Sequence, residues 1–152
     1  MPTIYEAGAI LPPRIQSLVE TFKQRHHEWI NNIEGDNPSS QHEQMTIYGP
    51  FGGPIRRAQE QLREIQARVR SQFKSGVGEK ELIRVIESGD LLIVVLLETS
   101  RVTFEGRSEP HAWSLRVTEV YTDDNGRWLR LHRHADPLVK SRPLAETLAL
   151  LE

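Results

Sequence analysis

The sequence predicts an α+β fold in which a curved antiparallel sheet wraps around N-terminal helices to make a cone. Three observations carry this. Apolar residues in the first half recur at three-and-four spacing, the period of an amphipathic helix. From about residue 79 the period changes to two, the period of a strand. Turn signals at 88–90, 105–107 and 123–126 then cut the second half into four runs that read as a meander. Helices first and hairpin-linked strands afterwards is the α+β order. A long sheet closing on one helix leaves one hollow end, where small-molecule sites usually form.

The first helix opens at Pro12-Pro13 and places Ile15, Leu18, Val19, Phe22, Trp29, Ile30 and Ile33 on one stripe, with Gly35 as its stop. Residues 35–44 are polar and turn-rich and read as a loop or a short, poorly ordered helix. Met45 to Tyr48 forms a short strand, and Gly49-Pro50-Phe51-Gly52-Gly53-Pro54 an elbow. Pro54 starts a second helix with Ile55, Ala58, Leu62, Ile65, Val69 and Phe73 on its apolar side, ending near Ser75-Gly76. The strands follow: Glu81 to Glu87, Leu91 to Phe104, Ala112 to Thr122 and Arg127 to Ala135. The run Leu91 to Leu97 is apolar on both faces, as in a central buried strand. Pro143 starts a short C-terminal helix. Residues 1–152 are expected to form one domain, with a core at about 13–138 and an extension at 139–152.

Composition sets outer bounds. The chain has 152 residues, 38% hydrophobic and 26% charged, with net charge −2. It has no long basic run or arginine-rich arm, so no nucleic-acid partner is expected. The longest apolar run is too short to span a bilayer, and the N-terminus lacks the pattern of a signal peptide. The absence of cysteine removes disulfides, thiol nucleophiles and thiolate metal sites, and fits a cytoplasmic setting.

The order and spacing of several short motifs resemble the SnoaL-like and ketosteroid-isomerase-like branch of the nuclear transport factor 2-like superfamily. They are Gly35-Asp36, Tyr48 to Pro54, Gly89-Asp90-Leu91, Arg116-Val117-Thr118-Glu119-Val120-Tyr121, Gly126-Arg127-Trp128 and His132-Arg133-His134-Ala135-Asp136-Pro137. The resemblance covers roughly residues 13–138. It implies a cone-shaped domain, usually a homodimer, with a pocket between the helices and the concave face of the sheet. Steroid isomerases carry a catalytic Asp where this chain has Gly49, and their protonated acid corresponds to Thr118. The tyrosine of their first helix has no clear match, with Glu28 or Trp29 nearby. Without that carboxylate and that neutral acid, steroid isomerisation is not expected. The fold also hosts dehydratases, cyclases and assembly domains, so it does not settle function.

The candidate site residues divide by chemistry. His26, His132 and His134 are the candidate acid–base catalysts. His132 and His134, with Asp136, also have the spacing of a two-histidine, one-carboxylate metal site; hydrogen-bonded structural histidines are the commoner meaning, and no metal or organic cofactor is expected. Trp29, Tyr48 and Trp113 supply aromatic walls for a ligand, or plain core packing. Arg116 and Arg133 could bind a carboxylate; the competing reading is an arginine paired with an internal acid such as Glu98. Thr118 and Leu131 complete the ligand-lining set.

Which of these meet depends on the turn at Asn125-Gly126. A two-residue turn, for which Asn-Gly is the strongest signal, puts Trp128, Arg130, His132, Glu119 and Tyr121 on one face. The resemblance implies that this face is the outer one, so that Arg116, Thr118, Leu131 and Arg133 point into the cone. A bulged turn instead puts His132 and His134 on the side of Arg116 and Thr118. Two functions remain open. One is a pocket protein binding, or acting by cofactor-free acid–base chemistry on, a small organic ligand, carboxylated and partly apolar. The other is a non-catalytic dimerisation or ligand-sensing module, as in the kinase II association domain, which also carries a His-x-His. In either case the convex sheet face is the expected homodimer interface.

Overall fold

The computed structural model describes residues 1–33, 41–58 and 62–152. In chain order the elements are β1 (Thr3–Glu6), α1 (Pro13–Ile30), β2 (Gln41–Tyr48), β3 (Arg56–Arg57), α2 (Leu62–Arg70), β4 (Phe73–Ser88), β5 (Leu91–Phe104), β6 (His111–Asp124), β7 (Arg127–Pro137) and α3 (Leu144–Ala149). One unclosed seven-stranded sheet has the order β1-β4-β5-β6-β7-β2-β3. Its centre is the expected antiparallel meander. The sheet is mixed rather than wholly antiparallel, because β2 lies parallel to β7. The alternation of side chains is the same in either direction, so sequence pattern carries no sign of it.

α1 lies on the concave face. Ile15, Leu18, Val19 and Phe22 pack against Val85, Leu92, Val94, Leu96, Leu115, Val117, Tyr121 and Ala135. The stripe that predicted the helix is thus the stripe it buries. A second cluster gathers Ile30, Phe73 and Val102 with Trp29, Val69, Phe104 and Trp113. The closed end carries Trp128, with the Arg14 guanidinium 3.8 Å above its ring and paired to Asp123 at 2.7 Å.

The end of α1 is tied to β4 by Asn31. Its side-chain amide donates to the Gly76 carbonyl (3.1 Å) and accepts from the Gly76 N–H (3.0 Å). Gly78 lets the strands and the helix approach closely: a Cβ there would stand 2.6 Å from Ser100 Cβ and 3.0 Å from His26 Cε1. Ser75-Gly76 is therefore not a helix stop. β4 begins at Phe73, whose ring faces Trp29, Phe104 and Trp113. The second helix is shorter than expected at both ends. Its described part starts at Leu62, and Arg56-Arg57 pairs with β2 as a strand instead. β1 went unforeseen; four residues on a sheet edge carry too little period to read.

The polar stretch 35–44 falls partly outside the described residues, and from Gln41 onward it is strand, not loop. α3 buries none of its side chains. Among the described residues, no helix is long and apolar enough to cross a membrane.

Asn125 and Gly126 form a two-residue turn with φ of 53° and 85°, as type I′ geometry requires. The register then shifts. Tyr121 pairs with Arg130, but Val120 pairs with His132, leaving Leu131 as an extra residue. Both sequence readings therefore hold in part: the turn has two residues, and a bulge lies further up β7.

Candidate functional site

The open end of the cone encloses a cavity of about 310 Å³. Its walls come from the second half of α1, the elbow after β2, α2 and the concave face of β4 to β7. The wall is aromatic on one side. Trp113 sits edge-on to Phe73 at 5.6 Å and to Phe104 at 5.5 Å, and Phe51 lies 5.6 Å from Trp113. Such offset and edge-to-face pairs rigidify a surface suited to a flat apolar group.

Further along the same strands the lining is ionic. Glu98 continues the inward alternation Leu92, Val94, Leu96, and Glu119 continues Leu115, Val117. Each acid sits where strand geometry forces burial. Lys80, directly across the sheet from Glu98, pairs with it at 3.0 Å. Arg133 reaches the same carboxylate through two nitrogens, at 2.7 and 3.2 Å. Arg130 bonds to Glu119 at 2.8 Å, and Arg133 lies 3.6 Å from its other oxygen. Charge-assisted pairs of this kind are what make buried ions tolerable.

The charges set one another's protonation. Burial works to raise both carboxyls, but the neighbouring cations outweigh it. Arg133 and Lys80 hold Glu98 far below the usual range. Arg130, Arg133 and Lys80 hold Glu119 at about 2. Burial, then Glu119, pushes the Tyr121 phenol up, so it remains a neutral hydroxyl. His26 also lines the cavity, and burial lowers its imidazole to about 4 despite Glu98, leaving it neutral at physiological pH.

Of the residues singled out from sequence, His26, Trp29, Trp113 and Arg133 line this cavity. Arg133 takes the competing role as well, since its partner is Glu98. The remaining six are placed elsewhere. Arg116 and Thr118 were expected to point inward but occupy the outer face, because β6 turns Leu115, Val117, Glu119 and Tyr121 to the inside. Arg116 there grips Asp136 through two bonds of 2.7 and 2.8 Å. Leu131 is spent in the bulge. His132 and His134 share the outer face with Tyr48, whose ring lies 5.9 and 5.4 Å from theirs, and His132 Nδ1 is 2.7 Å from the Thr46 hydroxyl. Glu119, Tyr121, Trp128 and Arg130, expected outside, are inside.

Sequence reasoning missed Arg25, Lys80, Glu119 and Arg130 as site residues. The available signal was a charged residue on an otherwise apolar alternating face, visible at Glu98 and Glu119.

No family model matches the sequence, and no curated protein matches it significantly. Solved structures do match. A nuclear transport factor 2-like (NTF2-like) superfamily protein from Salmonella enterica has TM-score 0.68 and 12% identity, over 85% of this chain and 94% of that one. A candidate dehydratase of the NTF2-like family from Streptomyces avermitilis has TM-score 0.61 and 15% identity, over 84% and 95%. The association domain of C. elegans CaMKII has TM-score 0.57 and 16% identity, over 81% and 95%. The chain therefore has the NTF2-like fold. At such identities the likeness concerns fold, and function has to be argued from the site.

Proposed function

We propose that this protein is a pocket protein of the SnoaL-like kind, which binds a small organic ligand that is partly apolar and carries a carboxylate. One observation carries the reading: the cavity lining combines a rigid aromatic cluster with an excess of positive charge among the described residues. Among its described lining residues, Arg25, Arg56, Arg63, Arg70, Lys80, Arg130 and Arg133 are cationic, against Glu28 and Glu98. A cone filled solid by its own side chains would serve assembly alone; this one keeps space and converging polar groups.

If the ligand is turned over, His26 is the group in position to move a proton. It is neutral and lines the cavity, whereas His132 and His134 stand on the other side of the sheet. Steroid isomerisation has no support, since Gly49 offers no carboxylate and Thr118 faces away from the cavity.

A thermal-shift screen pairing small aromatic acids with their neutral amides tests the proposal. Acids are expected to raise the melting temperature in proportion to their occupancy. A panel in which no acid or amide shifts it would reject a ligand pocket.

The outer face favours a second, compatible reading as a homodimer. Tyr48 is 43% exposed on the outer face of the sheet, edge-on to His132 and tilted against His134. The likeness to an association domain supports the same reading. Light scattering on the intact chain and on Tyr48→Glu separates the outcomes: a dimer that the substitution splits, or a monomer throughout.

A further inference from the structure

We infer that Arg25, on the cavity side of α1, is the residue that receives the ligand carboxylate, with the Arg130 guanidinium beside it. This rests on the pocket reading above.

The other deep cations are already committed. Lys80 and Arg133 share Glu98, and Arg130 holds Glu119. Arg25 has no carboxylate or hydrogen-bond partner among the described residues, yet its Nε is buried. Arg130 spends Nη1 on Glu119, while its Nε is buried and unpartnered too. The Tyr121 hydroxyl is in the same condition. These groups are neighbours, since Tyr121, Arg130, Glu119 and Glu28 all act on the charge of Arg25; Glu119 Oε1 is likewise without a hydrogen-bond partner.

Among the described residues four cations, Arg25, Lys80, Arg130 and Arg133, stand with three carboxylates, Glu28, Glu98 and Glu119, which leaves one positive charge in excess. A buried guanidinium N–H without a hydrogen-bond partner is costly, and an incoming anion relieves that cost. The planar fork of arginine matches a carboxylate with two parallel bonds. The aromatic wall of Trp29, Phe73 and Trp113 lies within the same cavity, so the class of ligand is a flat aromatic monocarboxylate. His26, adjacent to Arg25 on the helix, would then lie beside the bound acid.

Calorimetric titration of the full chain with 2-naphthoate and 2-naphthamide tests this, using the unaltered protein, Arg25→Gln and Arg25→Lys. The acid is expected to bind the unaltered protein about tenfold or more tighter than the amide. Arg25→Gln should abolish that preference and leave the amide unaffected. Arg25→Lys, which keeps the charge but not the fork, should weaken the acid several-fold, and it serves alone if the glutamine variant does not fold. Unchanged preference in the folded variants, or amide binding with no gain for the acid, overturns the role of Arg25 and leaves the pocket standing. Absence of binding by either probe overturns the pocket reading and this assignment with it.

Discussion

Arg130 and Arg133 stand on the same side of β7 although they are three positions apart. Strict alternation would send them to opposite faces. The extra residue at Leu131 resets the alternation between them, and both guanidiniums reach Glu119. The ionic wall of the cavity is therefore a product of one bulge.

Arg133 holds that wall together. Arg133→Met would leave Glu98 with Lys80 alone and Glu119 with Arg130 alone. Removing one partner of a buried ion pair costs about 3–5 kcal/mol. Urea unfolding should show a loss of that order. Combining it with Glu98→Gln and Lys80→Met should recover part of the loss, because that group of three then leaves no buried charge short of a partner.

Acid should weaken the fold in two separate windows. His26 is held at about 4, below its usual 6.5, so the unfolded chain takes up the proton first. Stability is complete above pH 6.5 and declines as pH falls towards 4, by the order of 2–3 kcal/mol. Glu98 and Glu119 are depressed, so their contribution is complete above about 4.5 and is lost only below it. Denaturation measured from pH 7.5 to 4.5 should slope downward in the unaltered protein and be flatter in His26→Gln.

Gly78→Ala should destabilise in spite of the better strand propensity of alanine. The new methyl would sit 2.6 Å from Ser100 Cβ and 2.9 Å from the Thr99 carbonyl, so two strand backbones must part. Overpacking of this kind costs about 1–3 kcal/mol. A melting temperature at or above that of the unaltered protein would contradict the close approach of β4 and β5.

Asn31→Asp replaces an amide donor with an oxygen facing the Gly76 carbonyl. The variant loses two donated bonds, to the Gly76 and His27 carbonyls, and gains a repulsion, for about 1–3 kcal/mol. Amide exchange should quicken in the last turn of α1 and around Gly76, while the core of Leu92 and Val94 stays protected.

Much of this architecture was legible as periodicity. The stripe from Ile15 to Phe22 announced α1, the run at Leu91 announced a central strand, and Asn125-Gly126 announced its turn. Motif order pointed to the NTF2-like fold. The limits of α2, by contrast, were hidden, because Phe73 fits a helical stripe as well as it fits the start of β4. The candidate site was less legible still. His26, Trp29, Trp113 and Arg133, named from the sequence, line the cavity, and Arg133 pairs with Glu98 as one of the two readings had it. Arg116 and Thr118, expected inside, lie on the outer face with His132 and His134, the face that the two-residue turn and the resemblance gave His132. No local rule announces a bulge at Leu131, since its cause lies in the contacts of the finished sheet, where Arg133 meets two buried acids.

That single additional residue also governs how this chain can be compared with others. A relative lacking it would align residue for residue through Arg130 and then present its opposite side at every later column. Its counterpart of Arg133 would look out to water, and its counterpart of His132 would look inward. Any transfer of site assignments along the last strand therefore has to place a gap at Leu131 first.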